Sequence, residues 1–121
     1  MVRQILDAEN IHDAIKKTIA TNQENIMDEV TQAIKKNDIV IIGMSANPHV
    51  KSTKKTLEAK NLDFAYLGYG GYLSQWRKRN ALKMWTGWPT FPMVFVKGIL
   101  IGGGNETREL VNNGELDKML S

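Results

Sequence analysis

The run Asp38-Ile39-Val40-Ile41-Ile42-Gly43 constrains the fold of this chain more than any other segment. Its β-branched residues favour a strand, and no polar residue alternates with them. A strand with one wet face alternates apolar and polar positions; an unbroken apolar run is buried on both faces of its sheet. Helices must therefore lie above and below it. Ile26, Val30, Ala33 and Ile34 recur at helical spacing just upstream, and Lys35 and Lys36 suit the negative end of that helix's dipole. Downstream, Asn47 is a good N-cap and Pro48 fits the first helical position. They predict a helix to about Lys60 that buries Val50, Leu57 and Thr53.

The rest of the chain supplies a sheet around that strand. Residues 63–67 read as a second strand, and Gly68, Gly70 and Gly71 as a flexible connection. Residues 72–85 predict a helix with Leu73, Trp76, Leu82 and Trp85 inward. Residues 93–96 form a strand, Lys97-Gly98 a tight turn and residues 99–101 its antiparallel partner. Gly102-Gly103-Gly104 leads into a last helical stretch from Asn105, interrupted near Gly114 and ending at Leu120. This order implies an α/β fold, a mixed four-stranded sheet with helices on both faces. Residues 1–21 read as an N-terminal helical arm with Ile5, Ile11, Ala14, Ile15 and Ile19 at roughly helical spacing. Thr21-Asn22 breaks it from a domain spanning residues 22–121.

Composition narrows the function classes. The chain of 121 residues contains no cysteine, which excludes disulfides and thiolate metal sites. The apolar run ending at Met44 is too short to span a bilayer. Arg3, Asp7 and Glu9 interrupt any signal-peptide core, so a cytoplasmic protein is expected. A net charge of +3, with acids and bases intermixed, permits an anionic ligand without pointing to nucleic acid. Trp76, Trp85 and Trp88 lie near basic residues, but stacking on bases needs them exposed together. Trp85 is expected in or near the core. His12 and His49 are isolated and predict no metal site.

The stretch Trp88-Pro89-Thr90-Phe91-Pro92, followed by the strand pair, Gly102-Gly103-Gly104-Asn105 and the Asn113-Gly114-Glu115-Leu116 helix, resembles the glutaredoxins. The resemblance runs from about Asp28 to Leu120 and implies a thioredoxin-like fold. The Trp-Pro-Thr form is most similar to the monothiol, iron–sulfur branch. Against that pattern, Asn47-Pro48-His49-Val50 stands where the family carries its redox motif. Asn47 replaces the nucleophilic cysteine and Val50 the resolving position, and Met44 replaces a basic residue. Gly104-Asn105 replaces Cys-Asp. A thiolate is the nucleophile of disulfide exchange, so no residue here is expected to be catalytic in that chemistry.

The resemblance implies a ligand groove at Asn47, Arg79, Thr90, Phe91, Pro92, Gly103, Gly104 and Asn105. Asn47 reads first as a helix cap and, alternatively, as a polar anchor for a ligand carboxylate or amide. Arg79 and Lys83 share a helix face; Arg79 matches a family position that holds the glycine carboxylate of glutathione, to which an Arg fork is suited. Pro92 resembles the family's cis-proline, with the preceding backbone free to pair with a peptide-like ligand. Gly103 and Gly104 can offer N–H groups to an anion. Asn105 stands where the family has an acidic acceptor for the γ-glutamyl end. The implied function is binding of glutathione, a peptide or a protein partner without thiol chemistry. An accessory role in iron–sulfur or redox homeostasis is the alternative. Autonomous cluster binding is not expected, because Asn47 supplies no thiolate. An enzyme using His49 or Ser45 is a third reading, although no base-and-orienter arrangement accompanies them.

Overall fold

The computed structural model describes residues 2–71 and 74–121. A short 3-10 turn at Ala8–Asn10 precedes α1 (Asp13–Thr21) and α2 (Glu24–Lys36). Then follow β1 (Ile39–Gly43), α3 (Pro48–Ala59), β2 (Ala65–Gly68), α4 (Trp76–Thr86), β3 (Met93–Val96), β4 (Ile99–Gly102), α5 (Gly104–Asn112) and α6 (Glu115–Leu120). The four-stranded sheet has the order β2-β1-β3-β4. β1 runs parallel to β2 and antiparallel to β3, and β3 and β4 form a hairpin. Lys97 and Gly98 turn that hairpin with φ of 51° and 80°, the left-handed pair that matches strand twist.

Every residue of β1 is buried, and its side chains divide between two cores. Val40 and Ile42 pack with Ile26 and Val30 of α2, Leu82 of α4, Met93 and Phe95. Ile39 and Ile41 pack with Leu57 of α3, Val94, Val96 and Leu116 of α6. The period-two alternation of a strand thus feeds both faces from one apolar run. Full burial of each such side chain is worth roughly 1.5–3 kcal/mol, so β1 is the fold's anchor.

Several elements differ from the sequence expectation. β2 begins at Ala65, because pairing with β1 starts at Val40↔Ala65; Asn61, with φ of 57°, still belongs to the turn leaving α3. α4 begins at Trp76, since the left-handed Gln75 (φ 56°) prevents the helix from extending backward. Leu73 lies outside the described residues. Leu82 is fully buried, whereas Trp76 and Trp85 are 52% and 43% exposed. Trp85 is a boundary residue: its ring stacks on Phe95 with centroids 6.1 Å apart. α1 buries none of its residues, and Ile15 and Ile19 remain half exposed. His12 acquires a structural role, its Nδ1 accepting from the Ala14 N–H at 3.0 Å as the N-cap of α1.

Two buried phenols make stability pH-dependent. Burial pushes the Tyr66 hydroxyl up, and burial together with the adjacent Glu29 carboxylate pushes Tyr69 up further. A raised folded pKa holds the proton that the unfolded chain releases, so the contribution is intact below the unfolded value of about 10 and is lost above it. The urea midpoint is expected to fall as pH rises past 10. Tyr69→Phe should flatten that fall, and an unchanged slope would contradict the assignment.

Candidate functional site

A cleft of about 440 Å³ opens where the start of α3, the segment before β3 and the start of α5 converge. Asn47, Thr90, Phe91, Pro92, Gly103, Gly104 and Asn105 all line it, joined by Met44, His49, Lys83 and Glu106. The residues come from distant parts of the chain because β1 and β3 are neighbours. The C-terminal end of β1 and the N-terminal end of β3 are adjacent, which carries the α3 cap and the Thr90–Pro92 segment to the same end of the sheet.

Asn47 serves as a cap and also bridges the cleft. Its Oδ1 accepts from the His49 N–H at 2.8 Å, satisfying one orphan donor of α3. Its Nδ2 donates to the Phe91 carbonyl over a long 3.4 Å. The Phe91–Pro92 peptide bond is cis. Phe91 is buried beneath the cleft wall, and Lys83 Nζ stands 5.7 Å from its ring centroid. Trp88 packs against the first core, and its indole nitrogen is buried without a hydrogen-bond partner.

The glycines at the start of α5 have separate physical reasons. Gly102 has φ of 114°, and a Cβ there would meet Glu106 Cγ at 2.8 Å. Gly104 allows α3 and α5 to approach closely: a Cβ would lie 2.9 Å from Thr53 Oγ1, which itself donates to the His49 carbonyl at 2.8 Å. The Gly103 N–H donates to Glu106 Oε1 at 2.8 Å. Asn105 Oδ1 accepts from Arg108 Nη2, while Arg108 Nη1 donates to Ser52 Oγ at 3.2 Å.

Arg79 is the exception among the expected groove residues. It is 7% exposed, and its Nη1 donates to the Tyr69 carbonyl at 2.8 Å and to that of Ser74. The guanidinium braces the turn between β2 and α4 and does not line the cleft; Lys83, one turn later, provides the cation there. The sequence puts Lys83 on the helix face of Arg79, but only Arg79 matches a family position for the ligand, so Lys83 is not among the expected groove residues. Ser45 also stays off the cleft, its N–H and Oγ both donating to the Gly70 carbonyl at 3.1 and 3.5 Å. His49 lines the cleft but is exposed. The cleft offers hydrogen-bond donors, one lysine, one carboxylate at Glu106 and the backbone of residues 90–92. It offers no thiolate, since the chain has no cysteine.

No family model matches the sequence. Curated relatives are informative. A glutaredoxin-like protein of Dictyostelium discoideum is 42% identical over 102 residues, covering 84% of this chain and 83% of the relative. A probable monothiol glutaredoxin 2 of Rickettsia prowazekii is 32% identical over 105 residues, covering 83% and 94%. Among solved structures, the buckwheat glutaredoxin–glutathione complex superposes with a TM-score of 0.72 at 22% identity, covering 87% of this chain and 92% of that one; at that identity it supports the fold alone. With relatives this similar over most of its length, the chain belongs to the glutaredoxin family, as a member that lacks cysteine altogether.

Proposed function

We propose that this protein is a binding member of the glutaredoxin family, one that holds glutathione or a similar extended peptide in the cleft between Asn47, Thr90–Pro92 and Gly103–Asn105 without exchanging disulfides. The observation that carries the reading is the open 440 Å³ cleft in a cysteine-free chain. Its residues match ligand work better than catalysis. Lys83 offers a cation for a carboxylate, Phe91 offers backbone for peptide pairing, and the head of α5 offers N–H donors. The reading includes no enzymatic step, because among the described residues neither His49 nor Ser45 has a base or orienting partner in place. It also puts the protein in the cytoplasm. Among the described residues, no helix is long and apolar enough to cross a membrane.

The family's iron–sulfur cluster does not fit these residues. A cluster of that kind is held through protein cysteine thiolate, and Asn47 offers a neutral amide in its place. Among the described residues no three metal-ligating side chains gather anywhere.

Isothermal calorimetry with reduced and oxidised glutathione tests the proposal. The expected result is saturable heat with a dissociation constant on the order of 1 mM, and disulfide reduction in a reductase-coupled assay at background. Silence with both ligands at millimolar concentration would remove the small-thiol reading. A second reading, a protein partner, is favoured by a separate apolar cleft of about 450 Å³, where Ile19 of α1 faces Met27, Met84 and Trp85. In that reading residues 1–21 form an arm that shapes a docking surface, and redox or iron–sulfur homeostasis is served through the partner.

A further inference from the structure

The N-terminal arm builds a second surface from residues other than those of the ligand cleft. α1 has nine residues and buries none of them. That is shorter than the roughly 12–15 residues at which a helix holds by itself in water. Ile15 and Ile19 stand one turn apart on one helix face, and Ile19 shares an apolar cleft of about 450 Å³ with Met84 and Trp85. Arg3 lies against Gly87, its Nε 2.7 Å from where a Cβ there would stand, which brings Ile5 and Leu6 close to the last turn of α4. Ile5, Leu6, Ile15, Ile19, Met84 and Trp85 are each between 43% and 66% exposed. Together they leave on the order of several hundred Å² of apolar surface in water, the size of an interaction patch and comparable with the roughly 800 Å² each partner gives to a standard interface.

We infer that a second copy of this chain covers the face, in a two-fold dimer that sets α1 antiparallel to its counterpart. The inference rests on the protein-partner reading, whose partner it names, and is independent of glutathione binding. A two-fold contact uses one patch on both copies, so the patch must complement itself. This one carries a hole, the apolar cleft, and knobs to fill it, Ile5 and Leu6. Met27 and Met84 line the hole with side chains that adapt to what enters. The charges also complement each other. Residues 1–21 hold three bases, Arg3, Lys16 and Lys17, against three acids, Asp7, Glu9 and Asp13, so the chain's net +3 resides entirely in residues 22–121. Two copies therefore meet through their neutral arms. Asp7, Glu9 and Asp13 precede Lys16 and Lys17, and antiparallel docking lays the acidic half of each arm over the basic half of the other.

Sedimentation velocity on the full chain, without glutathione, tests the dimer. A reversible monomer–dimer equilibrium is expected, with a dissociation constant on the order of 10 µM. Ile15→Asp with Ile19→Asp should leave a monomer at every concentration up to about 500 µM. Both side chains are half exposed in the single chain, so this variant keeps its fold and its affinity for glutathione. Lys16→Glu with Lys17→Glu should weaken the dimer by about tenfold. Adding Asp7→Lys and Glu9→Lys to that pair exchanges the two halves and should restore it. A wild type that stays monomeric throughout overturns the inference while leaving a different protein partner and the glutathione cleft standing. A dimer that survives the isoleucine changes, or a four-residue exchange that fails to restore it, overturns it as well.

Discussion

Asn47→Cys is expected to turn a protein without disulfide chemistry into one that takes up a single glutathione from oxidised glutathione. The position is prepared for a thiolate. Its side chain already receives the His49 N–H at 2.8 Å, and its carbonyl accepts from Val50 and Lys51, so it heads α3. A sulfur there would face the same N–H donors and the positive end of the dipole, which lower a thiol pKa below the ordinary value of about 8.5. Because no second thiol exists in the chain, the mixed disulfide should accumulate instead of resolving. Mass spectrometry reads the adduct directly: stoichiometric in the variant, absent in the wild type. Losing the Asn47 cap should cost about 0.5–2 kcal/mol, which a urea titration measures separately. A folded variant whose new thiol reacts no faster than a surface cysteine would show that the α3 terminus does not activate groups facing the cleft.

Arg79→Met should weaken the fold and spare the ligand. The guanidinium holds the carbonyls of Tyr69 and Ser74 from a buried position. Methionine keeps much of the aliphatic stem but leaves both acceptors without their donor. Hydrogen bonds from a charged donor and the exposure of a buried acceptor put the loss at about 2–3 kcal/mol, visible as a lowered urea midpoint at constant slope. Arg79→Lys should recover part of it, since an ammonium reaches one carbonyl more readily than both. Lys83→Met should do the reverse, leaving the midpoint nearly unchanged and weakening glutathione binding by about three- to tenfold. If Arg79→Met kept its stability and lost ligand affinity, the roles given to the two cations would be exchanged.

These cations also mark where the sequence becomes hard to read. The β1 run is legible because every residue from Ile39 to Ile42 is apolar, and no other arrangement hides such a run so fully. The cleft residues at 90–92 and 103–105 are legible because proline and glycine restrict the backbone at specific points. Arg79 and Lys83 share one helix face, and spacing alone does not decide which guanidinium or ammonium is swallowed. That choice depends on two carbonyls in the loop before α4, set by the left-handed turn at Gln75. The same turn shortens α4 relative to its hydrophobic pattern. Trp85 shows another limit: an aromatic ring can stack on the core residue Phe95 and still leave nearly half its surface in solvent. His12 looked partnerless because a cap engages a backbone N–H two residues on, which no side-chain pattern records.

The cleft itself is the claim most open to direct trial. Amide chemical shifts of the full chain, followed while reduced glutathione is added, report where the ligand sits residue by residue. Saturating shifts at Lys83, Phe91, Gly103, Gly104 and Asn105 are predicted, with the amides of α1 nearly still. Shifts centred on Ile19 and Trp85, or none at millimolar ligand, would contradict the account.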